Sequence, residues 1–145
     1  MKRLIAECNM AHELLEACNE KLKQEPDNME IMILRGTIYN VTCSYDKAIS
    51  DLTKAIKNMP NDERVYYLRS DCYFSKGKYD LAKRDYLRAL KIQFKDDTEF
   101  VTGYTEKVIS EAKMESKSEL KKIKKILAYE KRRVLLSYIP QLEIS

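Results

Sequence analysis

Apolar residues recur at helical spacing along the chain, and short polar segments that contain proline separate them. From Leu4 to Gln24 they fall three or four positions apart, which is the spacing of one buried face of an α-helix. Pro26 and Pro60 each stand beside asparagine and aspartate, residues that stop helices and favour turns. The pattern predicts an all-α chain in which short turns join successive helices.

The middle of the chain contains the same pattern twice. Residues 29–62 align with residues 63–96 at a displacement of 34 residues without a gap, and ten positions are identical. The identical pairs are Leu34 and Leu68, Arg35 and Arg69, Tyr39 and Tyr73, Tyr45 and Tyr79, Asp46 and Asp80, Ala48 and Ala82, Asp51 and Asp85, Ala55 and Ala89, Lys57 and Lys91, and Asp62 and Asp96. A period of this length indicates two copies of one structural unit.

Each copy has the pattern of two helices joined by a turn, at residues 42–46 in the first copy and 76–80 in the second. Gly77 gives the second turn a residue that tolerates a left-handed backbone. Gly36 on the first helix and Ala48 on the second are small, as are their counterparts in the second copy. Small facing residues allow the two helices of a unit to pack closely.

These residues and the period resemble the tetratricopeptide repeat family over residues 29–96. Met32 and Tyr66 replace the usual tryptophan of the family, and Arg35 and Arg69 replace a usual leucine. The resemblance implies a short right-handed α-α superhelix, a stack of helix–turn–helix units that holds other proteins. It also implies a terminal capping helix.

The two substituting arginines are spaced to bridge the helices of their units. Arg35 precedes Asp51 by the same interval as Arg69 precedes Asp85. We expect each pair to link its two helices and to contribute about 0.2–1 kcal/mol if it is exposed. The alternative is that both arginines point into solvent.

The repeats and their flanks divide the chain into five segments. Residues 1–28 form an N-terminal helix, either the second helix of a degenerate repeat or a cap, and residues 29–62 and 63–96 are the two units. Residues 97–115 form a helix that caps the stack, and residues 116–145 form a basic amphipathic helix and tail. The apolar stripe of this last helix either folds back on the repeats or packs into another chain.

In the family, the first helix of each unit lines a concave groove that binds a peptide or a helix. The matching positions are Glu30, Ile33, Thr37, Asn40 and Val41 in the first unit and Arg64, Tyr67, Asp71, Phe74 and Ser75 in the second. Tyr67 and Phe74 would serve as aromatic anchors for such a ligand. The alternative for Phe74 is packing against the helix expected at residues 97–112.

The C-terminal segment is strongly basic, although the net charge of the whole chain is only +4. Its candidate contact residues are Lys121, Lys122, Lys124, Lys125, Lys131, Arg132 and Arg133. They form a solvated face, a contact for an acidic protein surface such as tubulin, or, least favoured, a nucleic-acid contact in which Tyr129 and Tyr138 stack on bases. Added salt should weaken a polybasic contact and spare an apolar one.

A carboxylate clamp for chaperone tails, a known use of the family, is not expected here. The corresponding positions hold Ile33, Thr37 and Leu68, and none of these is suitable for the clamp. A third canonical unit, which the clamp also requires, is not found in the sequence.

Candidate chemistry is sparse. His12 is the single histidine, the glycines are isolated, and the carboxylates are distributed over helix surfaces, so no catalytic residue, metal or cofactor is expected. The four cysteines, Cys8, Cys18, Cys43 and Cys72, have no Cys-x-x-Cys spacing. They are interpreted as thiols in a reducing compartment.

The longest apolar run, Ile31–Leu34, is too short to span a membrane, and Glu7 interrupts a weak resemblance to a signal peptide. We therefore expect a soluble cytoplasmic protein that acts as a non-enzymatic adaptor or scaffold subunit in a larger complex. The alternatives are a structural component of a cytoskeletal or ciliary assembly that docks through the basic helix, and a nucleic-acid-associated subunit.

Overall fold

The computed structural model describes residues 2–95 and 117–138, and every regular element in these ranges is an α-helix. The helices are α1 (Lys2–Gln24), α2 (Met29–Val41), α3 (Tyr45–Asn58), α4 (Glu63–Ser75), α5 (Tyr79–Gln93) and α6 (Lys117–Tyr138). The all-α fold is confirmed. The expected capping helix at 97–115 and the end of the chain from residue 139 lie outside the described residues.

The helices of the two units begin at the polar breaks that the sequence predicts. Asn28 caps α2 by accepting a hydrogen bond from the backbone N–H of Ile31, at 3.2 Å. Asp62 caps α4 by accepting one from the backbone N–H of Arg64, at 3.1 Å. Each cap satisfies an N–H group that the first helical turn leaves without a partner. The segments after Pro26 and Pro60 therefore end one helix and start the next.

The helices from α1 to α5 each pack against the next one in chain order. The first helices of the two units, α2 and α4, also contact each other, and both contact α6. Within the described residues, α6 has no such packing against α1, α3 or α5. The arrangement is therefore a stack whose inner side is formed by α2 and α4, with α6 lying along that side.

The small residues at the helix crossings are required by close packing, as the sequence predicts. A Cβ atom at Gly36 would lie 3.1 Å from Cγ of Leu52 and 3.3 Å from Cβ of Asp51, on the facing helix. In the second unit, the hydroxyl of Ser70 donates a 2.6 Å hydrogen bond to the backbone oxygen of Ala82. The first unit thus uses the absence of a side chain where the second uses a buried hydrogen bond.

The two turns inside the units have the same backbone path. Gly77 has a φ of 74° and Cys43, in the matching position, has a φ of 62°. The N–H of Ser44 bonds to the carbonyl of Tyr39 and the N–H of Lys78 to that of Tyr73, which closes both helix ends in the same way. Cys43 therefore holds a left-handed conformation that costs roughly 1 kcal/mol in a residue with a Cβ.

The predicted arginine bridges are confirmed, and both are bidentate. Arg35 donates to both carboxylate oxygens of Asp51 at 2.8 Å, and Arg69 donates to those of Asp85 at 2.7 and 2.8 Å. Both aspartates are buried, so the estimate for an exposed pair does not apply, and the alternative of solvated arginines is wrong. The hydrogen bonds to Asp51 raise the pKa of Arg35. Burial, the largest single influence, lowers the pKa of Arg69, but the hydrogen bonds to Asp85, the negative charge of Asp85 and smaller contributions from Tyr73 and Tyr66 together raise it above its ordinary value.

Each bridging arginine also reaches the helix that precedes its unit. Arg35 donates to the side-chain oxygen of Asn19 on α1, and Arg69 donates to that of Thr53 on α3, both at 3.1 Å. Asn19 stands one repeat period before Thr53 in the sequence. The helix α1 therefore makes, against the first unit, the contact that α3 makes against the second.

Candidate functional site

The predicted groove residues lie along α2 and α4. The buried ones are Ile33, Thr37, Asn40, Tyr67, Asp71 and Phe74, which we call the groove floor. Glu30 and Arg64 lie at the N-terminal ends of the two helices, and the exposed Val41 and Ser75 lie at their C-terminal ends. The groove floor is covered because α6 packs against both helices.

The helix α6 inserts two apolar side chains into the groove. Leu127 is 1% exposed and belongs to the same apolar cluster as Tyr67 and Phe74. Val134 is 2% exposed and belongs to the cluster that contains Ile33. Leu127 and Val134 stand two helical turns apart, so they share one face of α6. Of the two alternatives for this helix, the structure has the one in which it folds back on the repeats.

Between these apolar contacts lies a polar cluster formed by three helices. Lys131 of α6 donates through Nζ to Oδ2 of Asp71 on α4 at 3.0 Å. Asn40 of α2 donates through Nδ2 to the same oxygen at 2.6 Å. The placement of Lys131 on the solvated faces of the C-terminal helix is therefore wrong, because its ammonium group closes an ion pair on the inner face.

Asn40 retains an unused acceptor in this cluster. The residue is 2% exposed, and its Oδ1 atom has no hydrogen-bond partner among the described residues. A buried acceptor without a donor carries a desolvation cost of about 1–3 kcal/mol. The middle of the groove therefore offers two acceptors, the carboxylate of Asp71 and the amide oxygen of Asn40.

The aromatic groove residues are built into the core of the second unit. Tyr67 packs edge-on against Tyr86, with ring centroids 5.7 Å apart, and its hydroxyl donates to the side chain of Gln93. Phe74 packs edge-on against Tyr79 at 5.2 Å. Both rings thus support the fold as well as the floor of the groove. The alternative contact of Phe74 with residues 97–112 lies outside the described residues.

An ion-pair network lies at the end of the groove where α2 and α4 begin. Arg64 pairs with Glu30 on the neighbouring unit at 3.2 Å and with Asp62 at 2.6 Å. The hydrogen bond to Asp62, with a smaller contribution from Glu30, raises the pKa of Arg64. The network therefore links the starts of α2 and α4.

The other candidate basic residues behave differently from Lys131. Lys125, Arg132 and Arg133 are exposed on α6. Tyr129 and Leu136, which are 67% and 58% exposed, lie on the same helix. The side chains of Lys121, Lys122 and Lys124, and of Tyr138, are outside the described part of the structure.

Sites for other chemistry are not found in the ranges that the structure describes. No group of three or more histidine, cysteine, aspartate or glutamate side chains there could hold a metal ion. None of the described helices carries an apolar stretch long enough to cross a bilayer. His12 is exposed and lies 3.2 Å from Glu16.

The cysteines whose side chains are described are free thiols. Cys18 and Cys72 are buried and Cys43 is exposed. Burial raises the pKa of the Cys18 thiol to about 11 and that of Cys72 to about 12, so both remain protonated at neutral pH. A protonated, buried thiol is a poor nucleophile, and these two residues are part of the core.

Sequence reasoning missed the cluster of Asn40, Asp71 and Lys131 as a unit. It assigned Asn40 and Asp71 to the groove and Lys131 to a separate basic face. A signal was present, because Lys131 stands between Leu127 and Val134 at intervals that place all three on one side of a helix. A lysine at the centre of an apolar face indicates that an acidic partner lies opposite.

Comparisons with known proteins identify the repeated unit. The model of the tetratricopeptide repeat family matches residues 63–96, which are the second unit. No significant match to a curated protein or to a solved structure is found. Repeats of this family are protein–protein interaction modules and are typically non-enzymatic. Residues 29–62 repeat the matched unit in its helices, turn and arginine bridge, so the chain contains a tetratricopeptide repeat at residues 63–96 and a second copy of the same helix–turn–helix unit directly before it.

Proposed function

We propose that this protein is a non-enzymatic adaptor that binds an α-helical segment of a partner protein in the groove between α2 and α4. The observation that carries the proposal is the position of α6, whose Leu127 and Val134 are buried against the groove floor. Since the groove accommodates a helix of the chain itself, this position favours a helical partner over an extended peptide.

The resident helix makes binding conditional. Burial of a leucine or valine side chain contributes about 1.5–3 kcal/mol, so α6 competes with any partner for the same surface. The apparent affinity of the partner falls in proportion to the fraction of molecules in which the groove is open. A partner therefore has to displace α6, or binds after another event has released it.

The charged groups near the groove serve structure and recognition in this proposal. Asp71 is occupied by Asn40 and Lys131, and the buried Asp51 and Asp85 hold arginines within their units. A general acid or base needs a titratable group that is available to a substrate. The pairing of these carboxylates favours an interaction module over an enzyme.

We further place the adaptor in a reducing, cytoplasmic compartment as a subunit of a larger complex. The free thiols of Cys18, Cys43 and Cys72 support this placement. The occupied groove supports a role that depends on assembly, because a partner that releases α6 would also uncover its apolar residues Leu127 and Val134 for a further contact.

The proposal is tested by opening the groove in the full-length chain. Replacing Leu127→Asp together with Val134→Asp puts two carboxylates against the apolar floor, which should release α6; we call this the released variant. The matched control is Tyr129→Asp with Leu136→Asp, which makes the same chemical change on the exposed face of the same helix.

The probe is a fluorescent synthetic peptide of residues 117–138, measured by fluorescence anisotropy. The released variant should bind it at least about tenfold more tightly than the wild type or the control, because only there is the groove open. Equal binding by all three proteins, or no binding by a folded released variant, would contradict the groove assignment.

A second function is favoured by the outer face of α6. Lys125, Tyr129, Arg132 and Leu136 follow one another at helical spacing, and all four are exposed. A stripe of alternating basic and apolar residues fits the acidic surface of a cytoskeletal polymer such as the microtubule. Co-sedimentation with microtubules at rising salt tests this, with Lys125→Glu/Arg132→Glu against the released variant. Loss of co-sedimentation in Lys125→Glu/Arg132→Glu but not in the released variant supports docking through the outer face of α6. If the wild-type protein does not co-sediment with microtubules, this second function is overturned.

A further inference from the structure

The centre of the groove is acidic, although the contacts that Leu127 and Val134 make on either side of it are apolar. Asp71 is 7% exposed and lies between the cluster that holds Leu127 and the cluster that holds Val134. A site that only had to bury apolar surface would not need a carboxylate in this position. The charge therefore imposes a requirement on whatever helix lies in the groove.

That requirement follows from desolvation. A carboxylate that is covered by a helix loses its contact with water, and the loss is offset only by a cation or by several hydrogen bonds. In the described residues, the partners of Asp71 are the amide of Asn40, which is neutral, and the ammonium of Lys131. A helix without a cation at this point would leave a covered and uncompensated charge.

The unpaired Oδ1 of Asn40 strengthens the same requirement. It is a second acceptor beside Asp71, and no described group donates to it. Two neighbouring acceptors match a side chain that carries several N–H donors, and lysine and arginine are the side chains that carry both such donors and a positive charge. An apolar or acidic residue would leave the Oδ1 atom of Asn40 without a donor and the carboxylate of Asp71 without a cation.

The register of the occupant is also defined. Leu127, Lys131 and Val134 follow one another at intervals of four and three residues, which places the cation between the two apolar contacts. The neighbouring cations Lys125 and Arg132 are exposed, so the groove distinguishes the position of Lys131 from these positions of a basic helix. Charge at the wrong position of a ligand helix would not reach Asp71.

We propose that the groove selects partner helices that carry a lysine or arginine between two apolar residues, in the order apolar, three residues, basic, two residues, apolar. Asp71 is the specificity-determining residue, and Asn40 positions its carboxylate. The proposal rests on the groove binding proposed above and names the class of its ligand, a basic amphipathic helix. The helix α6 is the resident example of that class.

The test uses the full-length released variant and four synthetic peptides of residues 117–138. One peptide has the native sequence, and the others carry Lys131→Arg, Lys131→Met or Lys131→Glu. We expect the arginine peptide to bind within about threefold of the native one, the methionine peptide about tenfold more weakly, and the glutamate peptide more weakly still. A peptide with Arg132→Met is the control for loss of charge outside the pair and should bind as the native one does.

A charge reversal provides the sharper result. In the released variant with Asp71→Lys, the native peptide should lose binding and the Lys131→Glu peptide should recover it. The peptide with Arg132→Glu should show no such recovery, because its new charge lies away from position 71. Recovery that depends on the pairing of positions 71 and 131 cannot arise from general electrostatic attraction.

The outcomes separate this inference from the function on which it rests. If no peptide binds a folded released variant, groove binding itself fails. If all the peptides bind equally well, the groove binds helices but does not select a central cation, and the inference is overturned while the function stands.

A second measurement is independent of the released variant. In the otherwise wild-type chain, Lys131→Met should lower the urea midpoint of unfolding clearly. In an Asp71→Asn background the same change should have at most a third of that effect, because the carboxylate is gone. Equal losses in both backgrounds would overturn the role of Asp71.

Discussion

The two repeat units have the same framework and differ in the residues that face the groove. Both have the bidentate arginine bridge, and in both the arginine lies over a tyrosine ring, at 5.8 Å in the first unit and 5.7 Å in the second. At the groove, Thr37 of the first unit corresponds to Asp71 of the second, and Asn40 corresponds to Phe74. The shared residues build the unit, whereas the unshared ones line the groove.

The two kinds of residue also differ in how far apart in the sequence their contact partners lie. The arginine bridges join residues within one unit, 16 positions apart. The pair of Asp71 and Lys131 spans 60 positions and joins the second unit to α6. Contacts inside a unit therefore stabilise each repeat, and contacts between non-equivalent positions determine what the groove holds.

The largest expected effect comes from breaking a shared bridge. Asp85→Ala should destabilise the protein by about 3 kcal/mol, because Arg69 would lose the buried carboxylate that compensates its charge. Asp51→Ala in the first unit should cost nearly as much. Urea unfolding followed by circular dichroism measures both, and Asp80→Ala, an exposed change on the same helix, is the control. A loss for Asp85→Ala no larger than that of the control would refute a structural role for the bridge.

A smaller effect is expected when the groove of the second unit is made like that of the first. Asp71→Thr should cost about 1–2 kcal/mol, since Lys131 loses its partner but can reach water at the groove edge. Hydrogen exchange should become faster in α6 and stay unchanged in α3 and α5. Equally faster hydrogen exchange in all the helices would mean that Asp71 stabilises the fold as a whole rather than the position of α6 in the groove.

The smallest effect concerns the turns, where the first unit has Cys43 and the second has Gly77. Cys43→Gly should stabilise the protein by about 0.5 kcal/mol by relieving the left-handed conformation, and Gly77→Ala should destabilise it by about 1 kcal/mol. A Cβ at Gly77 would meet no atom within 4 Å, so the cost there comes from the backbone alone.

Cys43→Ala is the control for the turn, because it removes the contact of the Tyr45 hydroxyl with the cysteine sulfur and keeps the Cβ. Thermal unfolding of the three variants gives the comparison. If alanine at position 43 is as stabilising as glycine, the backbone explanation is incorrect.

The repeat made much of the fold predictable from the sequence. The turns, the helix starts and the bridges of Arg35 and Arg69 are each supported twice, because the same residue types recur one period later. The conformation of Cys43 could have been read from its alignment with Gly77, but cysteine carries no turn signal of its own. The residue type at position 43 therefore does not predict the left-handed turn, although the alignment of the two repeats does.

The candidate site was predictable only in part. The groove positions on α2 and α4 follow from the family pattern, and ten residues could be named. The face on which Lys131 lies could not be settled in the same way, because α6 has no counterpart elsewhere in the chain. Its side chains are basic on several faces, and charge alone does not show which one meets an acidic partner.

The sequence alone was sufficient for the helices, the unit and its internal bridges, because these depend on periodic apolar positions and on contacts between residues close in the chain. The three-dimensional packing decided that α6 lies in the groove and that Lys131 turns inward to Asp71. The reason is physical: an amphipathic helix must cover its apolar face, and which surface it covers depends on shape and charge that distant segments form only when folded together.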